Sequence, residues 1–126
     1  VEEGQADVLI AFERLEALRY AHFLKKDGVI IINDWRIDPI TVVTGAAEYP
    51  ENIIEDLSRT YKVYSINGME EAIRLGNAKA FNTVVLGMAA RHMGFAIEDW
   101  LKIIEKTAPG KTVEINQKAF LLGYGE

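Results

Sequence analysis

Three groups of residues have the types and spacing to meet a ligand or a partner. Asp34, Trp35 and Arg36 directly follow the run Val-Ile-Ile-Ile-Asn at 29–33. An acid, an aromatic plate and a guanidinium at the carboxyl end of a buried strand would stand where open α/β sheets form their ligand crevice. The alternative is a tryptophan covering the end of the sheet between two solvated charges. Glu13 follows the apolar run at 7–12 in the same way. A carboxylate at that point either caps the next helix or faces a ligand. Glu16 and Arg19, three apart, can pair on the helix surface for about 0.2–0.5 kcal/mol. The third group is Gly76 with Asn77, Asn82 and Gly87. Asparagine inside an apolar helix is mildly unfavourable unless its amide has partners, so Asn82 is expected to hydrogen-bond at an interface or brace a turn. Gly87 would let two helices approach closely.

Other chemistry is missing. The chain has no cysteine, which removes disulfides, thiolate metal sites, iron–sulfur ligation by this chain and a cysteine nucleophile. His22 and His92 are its 2 histidines, each in a predicted helix without a second ligand at metal spacing. Neither Gly-x-Gly-x-x-Gly nor a Walker loop occurs, and Ser58 and Ser65 lack the glycines of a nucleophile elbow. Gly123 and Gly125 follow a predicted helix and are read as helix terminators. No residue is therefore assigned as catalytic or as a metal ligand. A net charge of −5 argues against nucleic acid or an anionic membrane as partner. No apolar run approaches the ~20 residues of a membrane span, and the polar start lacks the pattern of a signal peptide, so a cytoplasmic protein is expected.

The elements that must position these residues follow from the hydrophobic pattern. Residues 7–12 and 29–33 are continuously apolar, as in strands buried on both faces of a parallel sheet. Between them, apolar spacing predicts a helix over 14–24, with Leu15, Leu18, Ala21 and His22 on one face. Lys25 and Lys26 suit its end and Gly28 would stop it. Residues 37–45 read as a short strand or extended excursion, 51–59 as a helix after Pro50, and 61–66 as a further strand. Helices are then predicted over 69–75, 78–93, 97–106 and 113–122. The fold class is α/β: a three-layer, Rossmann-like sandwich with a mostly parallel sheet and a helical C-terminal layer, in one domain over 1–126.

The residues at 5–19, Gln-Ala-Asp-Val-Leu-Ile-Ala-Phe-Glu-Arg-Leu-Glu-Ala-Leu-Arg, resemble the "ADxLxxFExLEALR" stretch of the gamma-type domain of 2-oxoacid:ferredoxin oxidoreductases. The indolepyruvate type, in its beta subunit, is the most similar. Ala72 to Asn77, Asn82 to Gly87, and Asn116 to Phe120 followed by Gly123 match that family's later motifs in order. The resemblance spans the chain but represents the last two-thirds of such a domain, since the glycine-rich opening strand, turn and helix have no counterpart before Val1. It implies a subunit that binds no cofactor itself and is inactive alone. Thiamine diphosphate, Mg, iron–sulfur clusters and CoA would belong to a large alpha-type partner, and ferredoxin would be met through the complex. The assembly would oxidise arylpyruvates or related 2-oxoacids to acyl-CoA. Glu13, Asp34, Trp35, Arg36, Asn77, Asn82 and Asn116 are the expected interface or site contacts. Two alternatives remain open: a Rossmann-like module binding a nucleotide or small ligand, and a structural domain that forms homo-oligomers.

Overall fold

The computed structural model describes residues 2–125, which fold as two compact units, the first ending at Ser65 and the second beginning at Ile66.

The first unit is built on a sheet of order β1-β2-β3, with β1 (Ala6–Ala11), β2 (Leu24–Asn33) and β3 (Lys62–Ile66). β1 and β2 run parallel, with Ile10 opposite Ile31 and Ala11 opposite Ile32. Ile30, Ile31 and Ile32 are all fully buried, so both faces of β2 are covered, as its unbroken apolar run requires. Each such side chain stabilises the fold by about 1.5–3 kcal/mol relative to exposure.

Between these strands the chain forms α1 (Arg14–Tyr20) and a 3₁₀ turn over Ala21–Phe23. Ala17 of α1 and Ala21 of the turn are buried and Leu15 packs against the same core, whereas Leu18 and His22, expected on that face, are exposed. Small side chains there let α1 lie directly on the sheet. Gly28 does not stop a helix: it is buried within β2. The register jumps between the pairs Ala6–Leu24 and Val8–Val29, so β2 carries extra residues and bulges, with Asp27 at φ 63°.

Residues 37–45 are not a strand. Pro39 opens a single helical turn, α2 (Ile40–Val43), its carbonyl accepting from the N–H groups of Val42 and Val43 at 2.9 and 3.0 Å. β-branched composition favours strands only where a neighbouring strand can pair, and this segment joins none in the sheet. Helix α3 (Ile53–Leu57) starts two residues later than Pro50 promised, because Asn52 adopts a left-handed conformation, φ 59°, and caps it through its own carbonyl. The core joins Ala11, Ile30 and Ile32 of the sheet to Ala17, Tyr49 and Leu57.

The second unit is helical: α4 (Gly68–Leu75), α5 (Phe81–Met93), α6 (Ile97–Thr107) and α7 (Val113–Gly125). Asn67 caps α4 by accepting from Glu70 N–H at 2.9 Å, and Gly76, at φ 98°, ends it. Helices α5 and α7 cross with their backbones in contact. A Cβ on Gly87 would lie 2.1 Å from the Phe120 carbonyl oxygen, and one on Gly123 would lie 1.8 Å from that of Val84. Gly87 therefore serves the close packing its position promised. Gly123 does not terminate a helix, since it is buried inside α7 at the crossing point. Phe120 fills the core beside the crossing, its ring 5.7 Å from that of Trp100 and 6.1 Å from that of Tyr124. No helix among the described residues is long and apolar enough to cross a membrane.

Candidate functional site

The carboxyl ends of β1 and β2 bring Glu13, Arg14, Asp34 and Arg36 into one cluster, completed by Tyr49 from the segment before α3. Glu13 is its hub. One carboxylate oxygen accepts from Glu16 N–H at 2.9 Å and so caps α1; the other accepts from Ile37 N–H at 3.1 Å and from the Tyr49 hydroxyl. The Tyr49 oxygen in turn accepts from Leu15 N–H at 3.1 Å. A single carboxylate thus fastens the start of α1, the chain leaving β2 and the chain entering α3. Burial pushes the Glu13 carboxyl up, but the bonds from Tyr49, Ile37, Glu16 and Leu15 together outweigh it and hold it below its ordinary value. The Tyr49 phenol is pushed up to about 12, first by burial and then by its bond to, and the charge of, Glu13.

The two arginines are held differently. Arg14 donates from Nε to Asp34 Oδ1 at 2.5 Å, and its own N–H bonds the Trp35 carbonyl at 3.1 Å. Arg36 donates from Nε to Asp38 Oδ1 at 2.5 Å, and its guanidinium lies over the Tyr49 ring, 4.3 Å from the centroid. Beneath them, buried Asn33 donates from Nδ2 to the Phe12 carbonyl at 3.1 Å and ties the two strand ends together. Arg14, Asp34, Arg36 and Tyr49 line a cleft of about 420 Å³ together with the chain from Pro50 to Glu55.

Of the positions singled out in the sequence, Glu13, Asp34 and Arg36 meet here. Trp35 is half-buried and contributes backbone only, donating to the Asn33 carbonyl at 2.8 Å. Glu16 does not pair with Arg19; its carboxylate accepts from Phe12 N–H at 3.3 Å. The asparagines belong to the second unit. Asn77 caps a 3₁₀ turn by accepting from Lys79 N–H at 3.0 Å. Asn116 accepts from the Thr83 hydroxyl at 3.0 Å and donates to the Thr112 carbonyl at 2.9 Å, on the wall of an apolar cleft of about 270 Å³. Asn82 is exposed on α5. Sequence reasoning missed Arg14 and Tyr49. The signal for Tyr49 was an aromatic residue directly before Pro50 in an otherwise polar stretch.

The donor set does not fit an iron–sulfur cluster, for want of any cysteine. Among the described residues no three His, Asp or Glu side chains gather at metal-binding distance. The polar groups of the cluster are largely paired with one another, an arrangement suited to holding loops and presenting charge.

The family model described as pyruvate ferredoxin/flavodoxin oxidoreductase matches residues 1–126. Among curated proteins, indolepyruvate oxidoreductase subunit IorB of Archaeoglobus fulgidus is 42% identical over 131 residues, covering 100% of this chain and 65% of the relative. The subunit of the same name from Pyrococcus horikoshii is 37% identical, covering 98% of this chain and 64% of the relative. Among solved structures, the gamma subunit of a keto/oxoacid ferredoxin oxidoreductase from Geobacter sulfurreducens superposes with a TM-score of 0.71 at 25% identity, covering 97% of this chain and 64% of that one. The chain thus spans a little under two-thirds of the length of each.

Proposed function

Since the chain belongs to the pyruvate ferredoxin/flavodoxin oxidoreductase family, we propose that it is part of the non-cofactor subunit of a 2-oxoacid:ferredoxin oxidoreductase of the indolepyruvate or arylpyruvate type. The observation that carries this reading is the 42% identity to an indolepyruvate oxidoreductase subunit over 100% of the chain. In the assembly, a large alpha-type subunit holds thiamine diphosphate, Mg, the iron–sulfur clusters and the CoA site, and ferredoxin is reduced there, in the cytoplasm.

Two physical features support this division of labour. A chain without cysteine leaves the cluster chemistry to a partner. Beside the Glu13 hub, the segment through α2 exposes Ile37, Ile40 and Val43 at 61%, 74% and 68%, a run of apolar surface suited to coverage by another subunit. The test is co-expression of the full-length protein with the large subunit under anaerobic conditions. The two are expected to elute as one complex, and replacing Ile40 and Val43 by aspartate is expected to weaken it. Separate elution of two folded subunits would overturn the reading.

A further inference from the structure

We propose that the cleft at the ends of β1 and β2 binds the oxyanion end of a small molecule, a carboxylate or a phosphoryl group, between the guanidiniums of Arg14 and Arg36. This goes beyond the subunit role, and it holds or fails whether or not a partner binds.

Both arginines engage their own aspartates through Nε alone, Arg14 with Asp34 and Arg36 with Asp38, each at 2.5 Å. Neither guanidinium has a side-chain or backbone acceptor on its Nη groups among the described residues. Each fork is nonetheless fixed. The Asp34 carboxylate sets the plane of Arg14, and Asp38 together with the Tyr49 ring sets that of Arg36. Oriented guanidiniums with unspent donors lose little freedom when an oxyanion arrives, and their planar geometry matches two oxygens at once. The cleft they line, about 420 Å³, falls in the range of small-molecule sites. Glu51, Glu55 and Asp34 line the same cleft. Those carboxylates oppose a polyanion, so the site selects a ligand with one anionic group and a body that is neutral or cationic toward Glu51 and Glu55.

The experiment is a titration of the full-length protein, followed by NMR of the arginine side-chain N–H signals, with inorganic phosphate and with acetate. Ionic strength is held constant with sodium chloride. Saturable shifts of Arg14 and Arg36 in at least one titration, absent with chloride, are expected. The better anion identifies the group as phosphoryl or carboxylate, and pyrophosphate should bind no tighter than phosphate. Arg14→Lys and Arg36→Lys keep the charge but lose the fork, and each should weaken binding about tenfold, whereas exposed Arg19→Lys should not. Chloride-like shifts with every anion, tighter binding of pyrophosphate, or unchanged affinity in both lysine variants with their folds intact would each overturn the proposal.

Discussion

Replacing Gly123 by alanine is expected to cost a large share of the stability of the second unit. The new Cβ would stand 1.8 Å from the Val84 carbonyl oxygen, 2.8 Å from its carbon and 3.1 Å from Met88 N. These are backbone atoms in the middle of a helix and cannot rotate aside, so α5 and α7 must separate. Separation uncovers Phe120, Val84 and Val85, all fully buried. Overpacking alone costs about 1–3 kcal/mol, and the loosened core adds to it, for about 3–5 kcal/mol together. That is a large share of the ~5–15 kcal/mol that holds a typical domain. Gly87→Ala should behave alike, its Cβ 2.1 Å from the Phe120 oxygen. Gly110 has nothing within 4 Å and no positive φ, so Gly110→Ala serves as the neutral control. Urea denaturation of the three variants decides the matter; equal midpoints would refute the close crossing.

Glu13→Ala should destabilise the first unit by about 2.5–4 kcal/mol, from a lost helix cap of ~1 kcal/mol and lost bonds from Ile37 and Tyr49 to a charged acceptor at about 1.5–3 kcal/mol together. The folded carboxyl lies below its ordinary value of 4.5. Its contribution is therefore present above the unfolded value and is lost as pH falls through the folded one. Glu13→Gln should flatten the acid limb of the stability curve below about pH 4.5 relative to the parent, as well as lowering it. Tyr49 acts at the other end: its phenol, raised to about 12, contributes stability that is present below its unfolded value of 10 and lost as pH rises through about 12. An acid limb identical in parent and Glu13→Gln would show that the hub does not hold the loops.

These two sites also mark what the sequence made legible. The β1-α1-β2 unit was readable because Val29 followed by three consecutive isoleucines has few other solutions in a globular chain. That Asp34 and Arg36 lie together in a cleft was readable because topology alone puts a strand's carboxyl end at the crevice. The helices of the second unit followed from period and from glycines such as Gly76 and Gly94, both at positive φ. Residues 37–45 misled because Thr-Val-Val-Thr has strand composition but no strand beside it. Gly123 misled because a glycine near a chain end reads as a stop, and only the packing partner, Val84, reveals it as a contact. Tyr49 meets Glu13 across 36 positions of sequence, and no local pattern encodes so distant a hydrogen bond.

The central claim is that this chain serves a 2-oxoacid oxidoreductase without supplying its cofactors, and anaerobic reconstitution tests it most directly. Ferredoxin reduction by indolepyruvate and CoA would be followed with the large subunit alone, with the full-length protein containing this chain alone, and with both. The account predicts no turnover by the full-length protein alone and turnover when both are present. Turnover by this protein in the absence of the large subunit would contradict it, and so would a folded, co-purified pair that oxidises no 2-oxoacid.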